Sequence, residues 1–292
     1  MSNLSASLIR IVLPVIILIV VYTYLGPVAG IGALVVIALA YLYLNKSLIY
    51  QNRAGKKYAS GNYEGALADL KAAVNAAPKD PKVRGTYAFF LVKMGHTDEA
   101  AEEIEKAIEY AAAEDERKPL MITRALVLWK QGQLDEAIKL IDELLPNYEN
   151  TNVYATLGFF YIEKGDYSKA LEFNLKARDF NSSSNVILDN LGMTYLLLGD
   201  YDNALETYES LMKNKPNFPE AFYNYARVLD KKGDLEKALY MVRYALTLPF
   251  WNTSTVKKEE VEAYLKELEA KEQAMNAEKQ EKQDGNEPID NM

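Results

Sequence analysis

The order of apolar and polar residues divides the chain into an apolar first part and a long amphipathic second part. From residue 8 to residue 44 the sequence is almost entirely apolar, and Gly26-Pro27 interrupts it near the middle. One helix of this length would measure about 55 Å, well beyond the roughly 30 Å hydrocarbon core of a bilayer. The pattern therefore predicts two membrane-spanning helices, over residues 8–25 and 28–44, joined by a turn at Gly26-Pro27.

Basic residues lie on both sides of this apolar stretch, whereas the central turn carries no charge. Arg10 precedes the first span, and Lys46, Arg53, Lys56 and Lys57 follow the second. By the positive-inside bias we expect a cell-membrane protein with two spans, whose N-terminus and repeat region are cytoplasmic. A cleaved signal peptide is the alternative, but the apolar sequence continues past any cleavage point.

The apolar stretch also predicts which molecules it contacts. Residues 8–44 are expected to contact the lipid bilayer. Small residues near the turn would let the two helices approach closely, and they make the hairpin a candidate surface for oligomerisation.

Residues 47–250 repeat one pattern six times. In each copy a glycine is followed five positions later by an alanine, and the glycines are separated by 34, 37, 33, 34 and 34 residues. The pairs are Gly61/Ala66, Gly95/Ala100, Gly132/Ala137, Gly165/Ala170, Gly199/Ala204 and Gly233/Ala238. A small residue seven places before each glycine and large apolar residues around it predict a helix, a glycine turn and a second helix.

This register, as in TLGFFYIEKGDYSKALEF and NLGMTYLLLGDYDNALETY, closely resembles the tetratricopeptide repeat (TPR) family, whose period is 34 residues. The resemblance implies an all-α fold, a right-handed superhelical solenoid of helix pairs (an α-α superhelix) that follows the two transmembrane helices. The 37-residue interval predicts a bend or step near residues 111–117. The predicted domains are a hairpin (1–46), six repeats (47–250), a capping helix (251–275) and a disordered tail (276–292).

In the family that this chain resembles, the first helix of each pair lines a concave wall that binds ligands. That resemblance implies a partner-binding groove lined by Asn52, Thr86, Phe89, Val92, Thr123, Leu126, Trp129, Thr156, Phe159, Ile162, Asn190, Met193, Leu196, Tyr223, Asn224 and Arg227. The apolar middle of this wall favours a protein or peptide partner with an apolar or helical segment.

Two alternatives to an open groove remain at this point. The threonine and asparagine side chains would equally satisfy carbonyl groups of neighbouring helices. Phe89, Trp129 and Phe159 would equally pack against neighbouring helices or the C-terminal helix, in which case the wall is covered.

The composition of the chain excludes several classes of partner and of functional site. A net charge of −8 and a pI near 5.0 exclude nucleic acid as the expected partner. The absence of cysteine excludes disulfides, thiolate zinc sites and cysteine nucleophiles. The single histidine, His96, lies in a turn, and no catalytic motif is present. We therefore expect no catalytic residue, cofactor or metal site.

Together these patterns predict a membrane-anchored, non-enzymatic adaptor or scaffold that binds a partner protein or peptide in its concave groove. The alternative is a structural subunit of a larger membrane complex, which would assemble through the hairpin and the repeats.

Overall fold

The structure, a computed structural model, describes residues 3–284 and the side chains of residues 12–280. Over that range the secondary structure is helical. The chain divides into two compact units, residues 1–87 and residues 88–292, which are described separately. The predicted all-α fold is therefore confirmed.

The first unit begins with helix α1 (Asn3–Leu44), which kinks at Gly26. Gly26 has φ 82° and ψ 176°, a conformation that residues with a Cβ rarely adopt. A Cβ placed on Gly30 would lie 2.8 Å from Cδ2 of Tyr22, so the segments on either side of the kink approach closely there. The two segments also line one cavity of about 380 Å³, between Leu18 on one side and Leu34 on the other.

The apolar side chains of α1 are largely exposed. Among the described residues, one helical stretch, Val12–Leu44, is long and apolar enough to cross a membrane, with a mean hydropathy of 2.3. The two predicted spans lie on either side of Gly26 within this one helix.

Helices α2 (Lys46–Ala59) and α3 (Tyr63–Ala76) form the first pair of the repeat region. Ala54 and Ala66 are buried where the two helices meet. Arg53 and Lys57, which occupy positions where the repeat has apolar residues, both pair with the buried Asp69, at 3.3 Å and 2.7 Å. A buried carboxylate thus explains why this copy departs from the pattern.

Five further pairs follow, α4/α5 to α12/α13, which we number as pairs 2 to 6. Their helices are α4 (Pro81–Met94), α5 (Thr97–Tyr110), α6 (Glu114–Lys130), α7 (Leu134–Leu144), α8 (Thr151–Glu163), α9 (Tyr167–Phe180), α10 (Asn185–Leu198), α11 (Tyr201–Lys213), α12 (Pro219–Lys231) and α13 (Leu235–Ala245). The division between the two compact units falls within α4.

A glycine with positive φ ends the first helix of every pair, as the repeat pattern predicts. The six values lie between 78° and 91°, the left-handed region that favours glycine. In four pairs the next residue is an asparagine or aspartate whose side chain accepts a hydrogen bond from a backbone N–H of the second helix, as Asp166 does from Lys169. The turn is therefore specified at two consecutive positions.

The small residues predicted at helix contacts are buried. Ala125 and Ala226 are fully buried, and a Cβ added to Gly192 would lie 2.6 Å from the ring of Tyr208. The longer interval between the second and third glycines is taken up by α6, which begins at Glu114 and runs for 17 residues. Its first turn carries three acidic residues, which the positive end of the helix stabilises.

The C-terminal helix α14 extends from Lys258 to Asp284, beyond residue 275 where the sequence predicted its end. Val261 and Leu268 on its buried side are fully covered and join the core of pairs 5 and 6. The last part of the predicted disordered tail, residues 285–292, lies outside the described residues.

Candidate functional site

The residues predicted to line the groove differ in how far they reach solvent. Asn52 and Thr86, in the first unit, are exposed. In the second unit, Phe89 is 42% exposed, and five residues are half-buried: Leu126, Trp129, Thr156, Met193 and Arg227. The remaining eight are buried: Val92, Thr123, Phe159, Ile162, Asn190, Leu196, Tyr223 and Asn224.

The apolar middle of the wall is built from contacts between neighbouring pairs. The ring of Trp129 on α6 meets that of Phe159 on α8 edge to face, with centroids 4.9 Å apart. The Trp129 indole N–H donates to the Glu163 carboxylate at 3.3 Å, and the Lys130 ammonium lies 3.6 Å from the indole centroid. Burial raises the pKa of Glu163 and lowers that of Lys130. Phe159 therefore belongs to the packing between pairs, while Trp129 keeps a partly open face.

The polar positions of the wall bond to backbone carbonyls, either of a neighbouring helix or of their own helix. The Asn190 side chain donates to the carbonyl of Ala155 in the preceding pair at 2.8 Å, and Thr194 Oγ1 donates to the Asn190 carbonyl at 2.7 Å. Within the first unit, Thr86 Oγ1 donates to the carbonyl of Lys82 at 2.9 Å. Asn190 thus satisfies a carbonyl of a neighbouring helix, whereas Thr86 satisfies a carbonyl of its own helix.

Two carboxyl groups are buried together between pairs 5 and 6. Asp189 accepts a hydrogen bond from the hydroxyl of Tyr208 at 3.0 Å and lies 3.5 Å from the side-chain nitrogen of Asn224. Burial raises the pKa of Asp189 to about 7, the charge of Glu220 adds to the increase, and the two hydrogen bonds oppose it. Sequence reasoning missed this cluster, because neither carboxyl interrupts the repeat pattern.

Helix α14 covers the inner side of α12. The hydroxyl of Tyr223 donates to the Glu260 carboxylate at 3.1 Å, and its ring meets that of Tyr264 edge to face at 5.6 Å. Tyr264 donates in turn to Asp230 at 3.1 Å, and Lys271 pairs with the same carboxylate at 2.9 Å. Helix α14 therefore covers the C-terminal end of the wall, at Tyr223.

Residues 250–257, the later part of the connection between α13 and α14, reach the far end of the second unit, and we call them the crossing segment. The backbone N–H of Asn252 donates to the carbonyl of Lys93 at 3.0 Å, and its side-chain amide donates to the carbonyl of Val92 at 2.9 Å. Both carbonyls lie in the last turn of α4. The sequence held no signal for this contact, which joins residues 160 positions apart.

Within the described part of the chain, no group of three or more histidine, cysteine, aspartate or glutamate side chains is arranged to hold a metal ion. His96 is exposed and precedes the first residue of α5. The inner wall combines aromatic rings with a few bonded charges, and part of it is covered.

Comparisons with known proteins identify helical repeats over most of the chain. The family model described as "Tetratricopeptide repeat" matches residues 101–249, and a second model of the same description matches residues 57–121. A TPR repeat-containing protein of Methanocaldococcus jannaschii is 24% identical over 176 residues, which cover 58% of this chain and 31% of that protein. The chain thus spans about a third of the length of that curated relative.

Solved structures show the same fold. A tetratricopeptide repeat protein from Parabacteroides merdae matches with a TM-score of 0.62 at 13% identity, covering 82% of this chain and 91% of its own. PilF of Pseudomonas aeruginosa matches with a TM-score of 0.52 at 17% identity, covering 68% of this chain and 89% of its own. At these identities the likeness concerns the fold alone.

Proposed function

We propose that this chain, which belongs to the tetratricopeptide repeat family, is a membrane-anchored scaffold that recruits a protein partner through its helical repeats. Repeats of this family support a role in protein–protein interaction, and they form one-sided surfaces along which a partner segment is bound. We propose no catalytic role, because the inner wall offers packing and hydrogen bonds rather than convergent reactive groups.

The proposed membrane anchor is helix α1, whose apolar side chains are exposed. Residues such as Tyr24, Val28 and Leu44 expose between 79% and 83% of their surface, an arrangement that costs free energy in water and is favourable in lipid. The reversal at Gly26 supports a hairpin with two spans, and the basic residues beyond it support a cytoplasmic repeat region. Residues 8–44 would then contact the bilayer.

The orientation can be tested directly, because the chain contains no cysteine. Val28→Cys places a thiol beside the central kink, and Ser60→Cys places one at the exposed end of α2. A membrane-impermeant maleimide added to intact cells should label Val28→Cys, whereas it should label Ser60→Cys only after permeabilisation. Labelling of both thiols in intact cells would contradict the cytoplasmic orientation.

The observation that carries the scaffold proposal is the exposed aromatic surface on first helices. Phe89 on α4 is 42% exposed, and Trp129 on α6 is half-buried. Aromatic side chains with an open face dominate the energetics of protein interfaces. Binding at this surface would place the partner on the inner side of pairs 2 and 3.

Crosslinking and affinity capture from the native membrane would test this role. Phe89→Ser should reduce capture of the partner at least tenfold relative to the unchanged chain. Phe180→Ser is the matched control, since Phe180 is 45% exposed but lies on a second helix, α9. Equal capture by both variants would place the binding surface elsewhere.

The second function is that of a structural subunit in a larger membrane complex. The exposed side chains of Val12–Leu44 would suit neighbouring helices as well as lipid. The size of the purified chain in mild detergent discriminates the two roles, because a subunit that assembles by itself would form oligomers without any added partner.

A further inference from the structure

The crossing segment binds the end of helix α4. Carbonyl groups in the last turn of a helix have no N–H partner within that helix and accept hydrogen bonds from other groups. Asn252 supplies two such bonds, from its backbone to the carbonyl of Lys93 and from its side chain to the carbonyl of Val92, which also accepts the N–H of Gly95 at 3.2 Å. The ammonium of Lys93 lies 4.2 Å from the centroid of the Trp251 ring. Three contacts therefore recognise an aromatic residue that is followed by asparagine.

The segment holds its shape through its own hydrogen bonds. The N–H of Trp251 donates to Ser254 Oγ at 3.1 Å, and the N–H of Ser254 donates to the carbonyl of Trp251 at 2.9 Å. These bonds form a tight turn that presents Trp251 and Asn252 together. A preorganised turn loses little conformational entropy when it binds.

The two ends of the crossing segment are held very differently. At the α14 end, Val256 is 6% exposed within the core of pairs 5 and 6, and the N–H of Thr255 donates to the buried Glu220 at 3.0 Å. At the α4 end the contacts are polar, and Asn252 itself is exposed. Exposed polar contacts exchange with water and individually stabilise little, so the α4 end is the one that can open.

We propose that the C-terminal end of α4 is a peptide-binding subsite for an aromatic–asparagine turn, and that residues 251–252 are its built-in occupant. A partner segment of the same chemistry binds by displacing them. This inference rests on the proposed scaffold function and adds to it the class of peptide recognised and an intramolecular competitor.

A partner peptide competes with the tethered residues 251–252 for the C-terminal end of α4. A tethered segment has an effective concentration on the order of 1 mM, so a free peptide of equal intrinsic affinity competes only above that concentration. Loss of the internal contacts removes this competition. A peptide with an intrinsic Kd of about 100 μM should then bind about tenfold more tightly than it does to the unchanged chain.

The probe is a fluorescent peptide with the sequence of residues 248–257, LPFWNTSTVK, measured by anisotropy with the full chain in mild detergent. Trp251→Ala/Asn252→Ala should bind this peptide at least tenfold more tightly than the unchanged chain does. Thr253→Ala, in the same turn, is the matched control and should behave as the unchanged chain. A peptide with alanine at both recognised positions should not bind any of them.

A second variant guards against a folding defect. Asn252→Asp keeps the size of the side chain but sets a carboxylate against the Val92 carbonyl, and its helical content and melting temperature are measured alongside binding. Tighter peptide binding by either folded variant supports the subsite. Absence of binding to both variants up to about 1 mM, or equal binding to the variants and the unchanged chain, overturns it.

The peptide experiment uses no cellular partner, so its outcome is independent of the capture experiment. Peptide binding without partner capture would fault the scaffold proposal alone. Partner capture without peptide binding would fault the α4 subsite alone.

Discussion

Replacing Asp189 with asparagine should remove a pH dependence of the folding free energy. Asp189 is buried between pairs 5 and 6 beside Glu220, which is only 7% exposed, and it accepts a hydrogen bond from the hydroxyl of Tyr208. Burial raises the pKa of Asp189 to about 7 from the ordinary value of 3.8. Between about pH 3.8 and pH 7 the folded chain therefore keeps Asp189 protonated, whereas the unfolded chain has already released that proton.

The sign and size of the effect follow from that difference. The stabilisation due to the retained proton is complete below pH 3.8, decreases as pH rises, and is lost above about pH 7. At about 1.4 kcal/mol for each factor of ten in proton affinity, the total is on the order of 4 kcal/mol. Stability of the unchanged chain should thus fall by about this amount between pH 4 and pH 8 relative to Asp189→Asn.

Urea unfolding of the full chain in mild detergent, followed by circular dichroism at several pH values, measures this difference. Asp142→Asn is the matched control, because Asp142 also accepts a tyrosine hydroxyl, that of Tyr161 at 2.8 Å, but is exposed at the surface. Glu220→Gln should reduce the pH dependence in part, since it removes the neighbouring negative charge.

Parallel pH profiles for Asp189→Asn and the unchanged chain would refute the reasoning. They would mean that Asp189 is ionised in the folded state at the same pH as in the unfolded chain. A flatter profile for Asp142→Asn than for Asp189→Asn would refute it equally.

Two further substitutions test the packing of the repeats. Gly192→Ala should destabilise the fold by about 1–3 kcal/mol, because the new Cβ meets the buried ring of Tyr208 at 2.6 Å. Gly55→Ala is the control, because the space around Gly55 is open, and it should be neutral or slightly stabilising in the same denaturation assay. Phe160→Ala should cost about 3–5 kcal/mol, because its side chain is fully buried. Phe180→Ala should cost less than about 1 kcal/mol, because 45% of that side chain is exposed.

Each of these two packing predictions has an outcome that would contradict it. Equal stability of Gly192→Ala and Gly55→Ala would show that the helices of pair 5 do not approach as closely as described. Equal costs for Phe160→Ala and Phe180→Ala would show that burial does not distinguish the two rings.

The helix pairs could be predicted from sequence because their turns impose strict local demands. The left-handed backbone at Gly132 or Gly233 excludes side chains, and the helix crossing at Ala125 or Gly192 excludes large ones. Such requirements recur at the same position in each copy, so they are visible as a period. The sequence also showed that Arg53 departs from the pattern, although not that a buried aspartate is the reason.

The openness of the inner wall could not be predicted, because it depends on which neighbour covers each position. Asn190 and Phe159 occupy positions that face the wall by register, yet Asn190 bonds to Ala155 and Phe159 packs on Trp129. Register along one helix fixes the direction of a side chain but not the distance to the next helix. The crossing segment was missed for a related reason, since a single non-repeating stretch has no period to reveal its partner.

The contact between Asn252 and Val92 also orders events during synthesis. A ribosome adds residues from the N-terminus at about 5–20 per second, so α4 is complete roughly 8 to 32 seconds before the residue that occupies its end, 160 positions later, has been made. During that interval the nascent chain lacks the two hydrogen bonds that Asn252 donates to this helix end. A partner that meets the chain while it is being translated faces no internal competitor, whereas one that arrives afterwards does.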